Sequence, residues 1–146
     1  MSDHKPYIDD QSDSSGVIFG ALDPLSNEFA CYKGLPIRNG SSYNCFYMAQ
    51  RSGRYYVLKG LAPNVADDPV FAEWLAKEFQ IGIQLDHPNI VRVNSFEDDP
   101  VVGKCIVMEY VDGLNLTNWL AKKPSAKQRK EVFKQLMNAL AYCHSK

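Results

Sequence analysis

Apolar and polar positions fall into a regular pattern from about residue 45 onward. Residues 45–50 are mostly aromatic or apolar, residues 51–54 have the composition of a tight turn, and residues 55–59 again favour a strand. This pattern predicts a β-hairpin.

A helix is predicted over about residues 70–85, after a loop at residues 63–68, and Pro69 is suited to its first turn. His87-Pro88 closes the segment, because a residue before proline avoids helical angles. Apolar side chains recur at every fourth position and predict one buried face: Phe71, Leu75, Phe79 and Ile83, with Leu85 near the end.

Two further strands are predicted at residues 90–96 and 105–110, joined by an acidic turn at residues 97–100. A short helix at residues 116–121 and a longer helix at residues 126–144 are predicted to follow. In the last helix the positions expected to face inward are Val132, Phe133, Leu136 and Leu140, with Met137 at the margin. Strands, helix, strands and helices in this order predict an α+β fold.

The first 34 residues give weaker signals. Residues 1–15 are rich in Asp and Ser and are predicted to be a disordered tail, because they offer little apolar surface to offset ordering entropy. Residues 16–34 are mixed in character and are treated as an N-terminal extension without assigned elements.

Composition narrows the class of protein. The chain has 146 residues, 45% of them hydrophobic, which suffices for one folded unit. Its formal net charge of −1 gives no broad field that would favour nucleic acid or an anionic membrane. No segment approaches the roughly 20 apolar residues of a membrane span, and the start lacks the order of a signal peptide, so a cytoplasmic protein is expected.

The cysteines show neither metal-binding nor disulfide-scaffold spacing. They are expected to be reduced and mostly buried thiols: Cys31, Cys45, Cys105 and Cys143.

Three segments resemble the protein kinase family. They are the strand Tyr56-Val57-Leu58-Lys59, the junction at residues 85–91 (LDHPNIV) and the run at residues 107–113 (VMEYVDG). The resemblance covers residues 35–146. It implies an N-terminal lobe and hinge over residues 35–111, with an antiparallel sheet and one helix, then two helices of an incomplete C-terminal lobe over residues 112–146.

By this resemblance Lys59 would hold the α- and β-phosphates of ATP, and Glu78 would pair with Lys59 across 19 residues. A buried ammonium needs such a partner. Glu73 is the competitor, but it lies on another side of the helix.

The hinge run implies an adenine site. Met108 would line its back, the carbonyl of Glu109 and the amide of Val111 would pair with the base, and Val57 would pack on one face. Asn115 falls near the expected ribose position.

The phosphate loop departs from the family pattern. With Phe46 at the place of the family's valine, Asn39, Ser41 and Asn44 stand where the family has glycines. Two alternatives stay open for this stretch: a polar loop over phosphates, or a plain hairpin turn. The predicted loop comprises Asn39, Gly40, Ser41, Ser42, Tyr43 and Asn44, with Tyr43 at its tip.

Gly82, one turn after Glu78, stands where kinases usually carry a large apolar residue. Glycine costs about 1 kcal/mol against alanine in a helix. A gap and a loosely held helix are therefore expected.

The family's H-R-D-x-x-x-x-N and D-F-G motifs do not occur in the sequence. We therefore expect a fragment of a serine/threonine protein kinase that is inactive alone, with Mg²⁺ and the protein substrate bound only by a complete kinase. The last helix would then leave Phe133, Leu136 and Leu140 exposed and favour self-association.

The alternative is a pseudokinase or scaffold module with weak or no nucleotide binding. A kinase for small molecules disagrees with the junction at residues 85–91, and a P-loop ATPase is excluded because no G-x-x-x-x-G-K-[ST] motif occurs.

Overall fold

A computed structural model describes residues 18–19, 29, 31–35 and 43–146. The expectation of a disordered tail at residues 1–15 and the predicted loop residues Asn39, Gly40, Ser41 and Ser42 lie outside the described residues. The elements that are described form one antiparallel sheet followed by helices, which confirms the α+β prediction.

The sheet has six strands in the order β1-β2-β3-β4-β6-β5, with every neighbouring pair antiparallel. The strands are β1 (Ile18–Phe19), β2 (Cys31–Gly34), β3 (Asn44–Arg51), β4 (Arg54–Leu61), β5 (Val93–Asp99) and β6 (Gly103–Glu109). The predicted hairpin is confirmed as β3 and β4. Its turn residues Ser52 and Gly53 both have positive φ, 51° and 73°, as the tight two-residue turns of hairpins require.

Strand β2 falls within the stretch that the sequence leaves unassigned. It pairs along β3, with Cys31 opposite Gln50 and Gly34 opposite Tyr47. The sheet therefore begins before residue 35.

Three helices follow the predicted order: α1 (Pro69–Gly82), α2 (Leu116–Ala121) and α3 (Ala126–His144). Each begins at a side chain that accepts a hydrogen bond from the first turn, Asp68, Asn115 and Ser125 respectively, as helix N-termini favour. The bounds of α2 and α3 agree with the prediction. Helix α1 ends three residues earlier, and Ile83, expected on its buried face, is 43% exposed.

The prediction of an acidic turn at residues 97–100 is also wrong. Glu97, Asp98 and Asp99 belong to β5, and the turn comes at residues 100–102. Asp99 is buried because its carboxylate accepts hydrogen bonds from the Tyr32 hydroxyl at 2.6 Å and from the two amides of Val101 and Val102 at 2.8 and 2.9 Å. Such partners let carboxylates remain within a sheet.

The main core lies on one face of the sheet, the face opposite Lys59, since successive residues of a strand point to opposite sides. Leu58 and Val107 are fully buried there, and Phe29, which precedes β2, packs over them together with Tyr32. The rest of this core comprises Ala49 and Cys105, with Tyr47, Tyr56 and Val102 packed against it.

The cysteines are expected to be mostly buried, but of the three whose side chains are described only Cys105 is buried, and Cys45 and Cys143 are half-buried. Cys45, Cys105 and Cys143 are free thiols, and Cys105 has no exposed surface. Burial raises the pKa of the Cys105 thiol to about 12. The side chain of Cys31 lies outside the described residues.

Helix α3 carries most of its apolar residues on the surface. Phe133 is 61% exposed and only Ala139 is buried, so the expectation that the apolar face points inward is wrong for this chain. The expected exposed stripe is confirmed: Phe133, Leu136 and Leu140, with Met137 beside them. Among the helices described, none has the length and hydropathy to cross a bilayer.

Candidate functional site

The candidate site is centred on an ion pair between the sheet and α1. The Nζ atom of Lys59, on β4, donates to both carboxylate oxygens of Glu78, on α1, at 2.5 and 2.6 Å. The Lys59 side chain is 15% exposed and that of Glu78 is 50% exposed. The ammonium thus lies between the sheet and α1, and the Glu78 carboxylate faces solvent more than the ammonium does.

Glu73, the competing carboxylate, has a different partner. It pairs with Lys77 one turn along α1 at 2.7 Å, and both side chains are largely exposed. The helix therefore presents Glu78, and not Glu73, to the sheet.

The side chain of Phe46 borders the ion pair from β3. Phe46 and Lys59 are direct partners across the β3–β4 pairing, and the ammonium lies 5.8 Å from the centre of the Phe46 ring. A cation over an aromatic face at this distance is weakly attracted. Phe46 therefore helps to fix the Lys59 side chain over the sheet.

Tyr43 and Asn44 are the described residues of the predicted phosphate loop. The Tyr43 ring lies against Phe71 of α1, and the Tyr43 carbonyl accepts from the Ala62 amide at 2.9 Å. A cleft of about 150 Å³ opens beside them, lined by Tyr43, Asn44, Leu61, Phe71, Trp74, Leu75 and Glu78.

No functional role is predicted from the sequence for Phe71 or Leu75, which line the cleft. The signal that could have shown one is their spacing from Glu78, seven and three residues, which puts all three on one side of α1.

The predicted hinge, residues 107–113, begins in the last three residues of β6 and continues beyond the strand. Met108 is the cross-strand partner of Val57, and both side chains are half-buried on the Lys59 side of the sheet. The Glu109 carboxylate accepts from the Arg92 amide at 2.8 Å, and the Glu109 amide donates to the Arg92 carbonyl. Strand β6 is thereby tied to the start of β5 at the point where the chain leaves the sheet.

After Glu109 the backbone has an unpaired hydrogen-bond donor in the described part of the chain. Val111 is 59% exposed, and its amide donates no hydrogen bond to any residue within the described ranges. An amide in this state has a donor available for a ligand. The side-chain oxygen of Asn115 accepts from the Asn118 amide at 2.8 Å and so caps α2; its expected place beside a ribose stays a prediction.

The expected gap at Gly82 is absent. A Cβ atom added there would meet Cγ2 of Val93 at 2.8 Å. Glycine allows the first residue of β5 to pack directly on the helix backbone, so the prediction of an empty space is wrong.

The junction between α1 and β5 is anchored by polar contacts. Arg92 pairs with Asp86 at 2.8 Å, and the Asn89 amide donates to Nδ1 of His87. Helix α3 reaches this junction through Tyr142, whose hydroxyl accepts from the Asp86 amide at 3.0 Å and whose ring lies 5.1 Å from that of His87. These contacts join the end of the chain to the sheet domain.

The fold consists of an antiparallel sheet with one helix, a Lys–Glu pair between them and a strand end that leads into further helices. Together these features define an N-terminal lobe of the protein kinase type, with part of the C-terminal lobe. The sequence model of the protein kinase domain matches residues 37–146. The chain belongs to the protein kinase family.

Three similar proteins illustrate this membership. Mitogen-activated protein kinase kinase 7 of Arabidopsis thaliana is 30% identical over 99% of this chain and 46% of its own length. Serine/threonine-protein kinase PrkC of Bacillus subtilis is 31% identical over 77% of this chain and 18% of its own length. The crystal structure of the PknI kinase domain of Mycobacterium tuberculosis superposes with a TM-score of 0.58 at 26% identity, over 86% of this chain and 51% of that domain.

The chain thus spans less than half the length of these two curated relatives. Within the described part of the chain, no group of three or more His, Cys, Asp or Glu residues is arranged to hold a metal ion.

Proposed function

We propose that this chain is the ATP-binding lobe of a protein kinase whose full-length form transfers the γ-phosphate of ATP to serine or threonine hydroxyls of proteins. The Lys59–Glu78 pair, beside a hinge with an open backbone donor, is the observation that carries the proposal. The hydroxyl preference follows relatives such as PrkC, which is named a serine/threonine kinase.

Lys59 would neutralise the α- and β-phosphates. Its ammonium is largely withdrawn from water, so its attraction for phosphate oxygens is less screened than at an open surface. Glu78 would hold the ammonium in place and share it with the phosphates, since an ammonium has three donors and the carboxylate leaves at least one available.

The hinge would read the adenine edge through the backbone. The Val111 amide has no acceptor among the described residues, and the Glu109 carbonyl is the nearby acceptor that the resemblance implies. Val57 and Met108 supply neighbouring apolar surface on the same face of the sheet as Lys59. These groups fit a purine base.

The residues present do not fit Mg²⁺ in the same way. The family takes its metal ligands from the D-F-G aspartate and the catalytic-loop asparagine, and neither motif occurs in these 146 residues. We therefore expect nucleotide binding without phosphoryl transfer from this chain alone.

Titration with a fluorescent ATP analogue tests the proposal. Lys59→Ala should weaken binding at least tenfold, equivalent to about 1.4 kcal/mol, because the phosphates lose their main cation. Lys77→Ala is the matched control, because this lysine also pairs with a glutamate on α1 but is exposed on the helix surface. The affinity of this variant for the ATP analogue should stay within about twofold of wild type. Absence of binding to wild type, or equal binding by Lys59→Ala, would remove the proposal.

A second candidate function is a scaffold module of the pseudokinase kind. The replacement of three family glycines by Asn39, Ser41 and Asn44 favours it, because side chains there hinder close approach of the backbone to phosphates. A chain that unfolds cooperatively but shows no nucleotide binding at millimolar concentration would support this candidate.

A further inference from the structure

Three aromatic rings connect the predicted phosphate loop to helix α1. The centres of the Tyr43 and Phe71 rings are 4.8 Å apart with an interplanar angle of 34°, and Phe71 meets Trp74 edge-on at 5.1 Å. Both distances lie in the range where aromatic pairs attract each other beyond simple burial.

The Tyr43 ring is the part of this residue that makes the contact. Its backbone carbonyl is held by the Ala62 amide, which extends the pairing of β3 with β4 by one step. Its hydroxyl has no hydrogen-bond partner among the described residues. Phenylalanine should therefore replace tyrosine here without loss of the contact.

On the other side of the contact, Phe71 lies two helical turns before Glu78. Seven residues at 3.6 per turn bring the two side chains to the same side of α1, with the buried Leu75 between them. The 150 Å³ cleft lies along this side, so the helix is not fully packed against the sheet between Phe71 and Glu78. The contact between the Tyr43 and Phe71 rings supports α1 at the end of the cleft that is distant from Glu78.

We propose that the contact of Tyr43 with Phe71 is a latch that holds α1 where Glu78 pairs with Lys59. Tyr43 and Phe71 are positioning residues in this proposal, because they act through Glu78. It rests on the proposed function, since it gives the latch a role in nucleotide binding.

The latch works in both directions. If the position of Tyr43 biases the position of α1, then a nucleotide that favours this position of Tyr43 must stabilise the Lys59–Glu78 pair, and the pair must favour nucleotide by the same factor. Nucleotide binding should therefore be reported at Trp74, which touches Phe71 and is 57% exposed.

The experiment uses the full 146-residue chain with Trp119→Phe, which leaves Trp74 as the single tryptophan. A non-fluorescent ATP analogue is titrated while Trp74 emission is recorded, and isothermal calorimetry gives the affinity. Tyr43→Ala should weaken affinity about three- to tenfold and abolish the emission change, whereas Tyr43→Phe should match the parent.

The rate of amide hydrogen exchange, measured without nucleotide, tests the latch independently of nucleotide binding. Tyr43→Ala should speed exchange of the α1 amides by a similar factor while the amides of β4 and β6 keep their protection. Phe133→Ala is the control, because the Phe133 ring is exposed like that of Tyr43 but lies on α3. The affinity of this variant for the analogue and the exchange of its α1 amides should equal those of the parent.

The outcomes separate the two proposals. If the parent chain binds no analogue, the proposed function fails and the latch has no ligand to serve. If the parent binds and Tyr43→Ala binds equally well, or if α1 exchange is unchanged in Tyr43→Ala, the latch is wrong while nucleotide binding stands.

Discussion

Arg51 and Glu97 show how single charged side chains are fixed across the sheet. Two nitrogens of Arg51, at the end of β3, donate to the two oxygens of Glu97 on β5 at 3.1 and 2.9 Å. The guanidinium also lies 4.1 Å from the centre of the Phe29 ring. The hydrogen bond from Arg51 is the main reason that the pKa of the Glu97 carboxyl lies below its usual value.

This lowered pKa predicts a pH dependence of stability. A carboxyl with a lower pKa in the folded state contributes its full stabilisation above the unfolded pKa, near 4.5, and loses it as the pH falls below that value. The midpoint of thermal unfolding should therefore fall between pH 6 and pH 4 by more in wild type than in Glu97→Gln.

The glutamine variant has the same shape but no charge to titrate, and so isolates this carboxyl from the others. Parallel pH profiles for the two proteins would contradict the prediction.

At the scale of residues, the sequence predicts the Lys59–Glu78 pair because a strand lysine and a helix glutamate 19 residues apart fit the family spacing. It does not predict the contact of Tyr43 with Phe71. That contact depends on where the hairpin ends relative to α1, and spacing along the chain does not define this position.

Among the elements, the junction of α1 with β5 depends on the absence of a side chain at Gly82. Val93 packs directly against the helix there, with its Cγ2 atom 2.8 Å from the position that a Cβ atom would take. The junction is therefore tight although it contains a glycine.

Gly82→Ala should destabilise the protein. Alanine gains about 1 kcal/mol in a helix, but forcing a methyl group into the space of a stiff valine typically costs about 1–3 kcal/mol, so a net loss of about 1 kcal/mol is expected by urea unfolding. In a Val93→Ala background the same change should be neutral or stabilising, because the methyl group then has room.

An increase in stability on placing Gly82→Ala in the wild-type chain would contradict this account and restore the idea of a gap.

Elements with strong periodicity or clear caps are predicted well from the sequence, as α2, α3 and the β3–β4 hairpin show. Strand β5 is displaced by three residues in the prediction because Glu97 and Asp99 suggest a turn, whereas their partners Arg51 and Tyr32 keep them in the sheet. Strand β2 is missed because its four residues carry no alternation of their own.

At the scale of the whole molecule, helix α3 exposes a stripe of apolar side chains. Phe133 and Leu136 are 61% and 51% exposed, with Leu140 one turn further on. Contiguous apolar surface of this kind tends to be covered by a partner.

This chain should therefore self-associate at high concentration. Sedimentation velocity from 5 to about 200 µM should show a rising average mass for wild type and a constant monomer mass for the double variant Phe133→Lys, Leu140→Lys, because the lysines repel and hydrate the stripe. Val101→Lys is the control, since this valine is 42% exposed in the β5–β6 turn, away from α3.

If the control and the α3 variant associate alike, the stripe is not the contact surface.

The pairing of β2 with β3 has a practical consequence. The region matched to the kinase domain starts at residue 37, after β2 and after Phe29. A shortened protein cut at that point would expose the backbone amides and carbonyls of β3 between Tyr47 and Gln50, where β2 pairs with it, and would uncover Leu58 and Val107. An exposed edge strand of this kind can pair with the strands of other chains. A protein trimmed to the boundary of the family match should therefore aggregate.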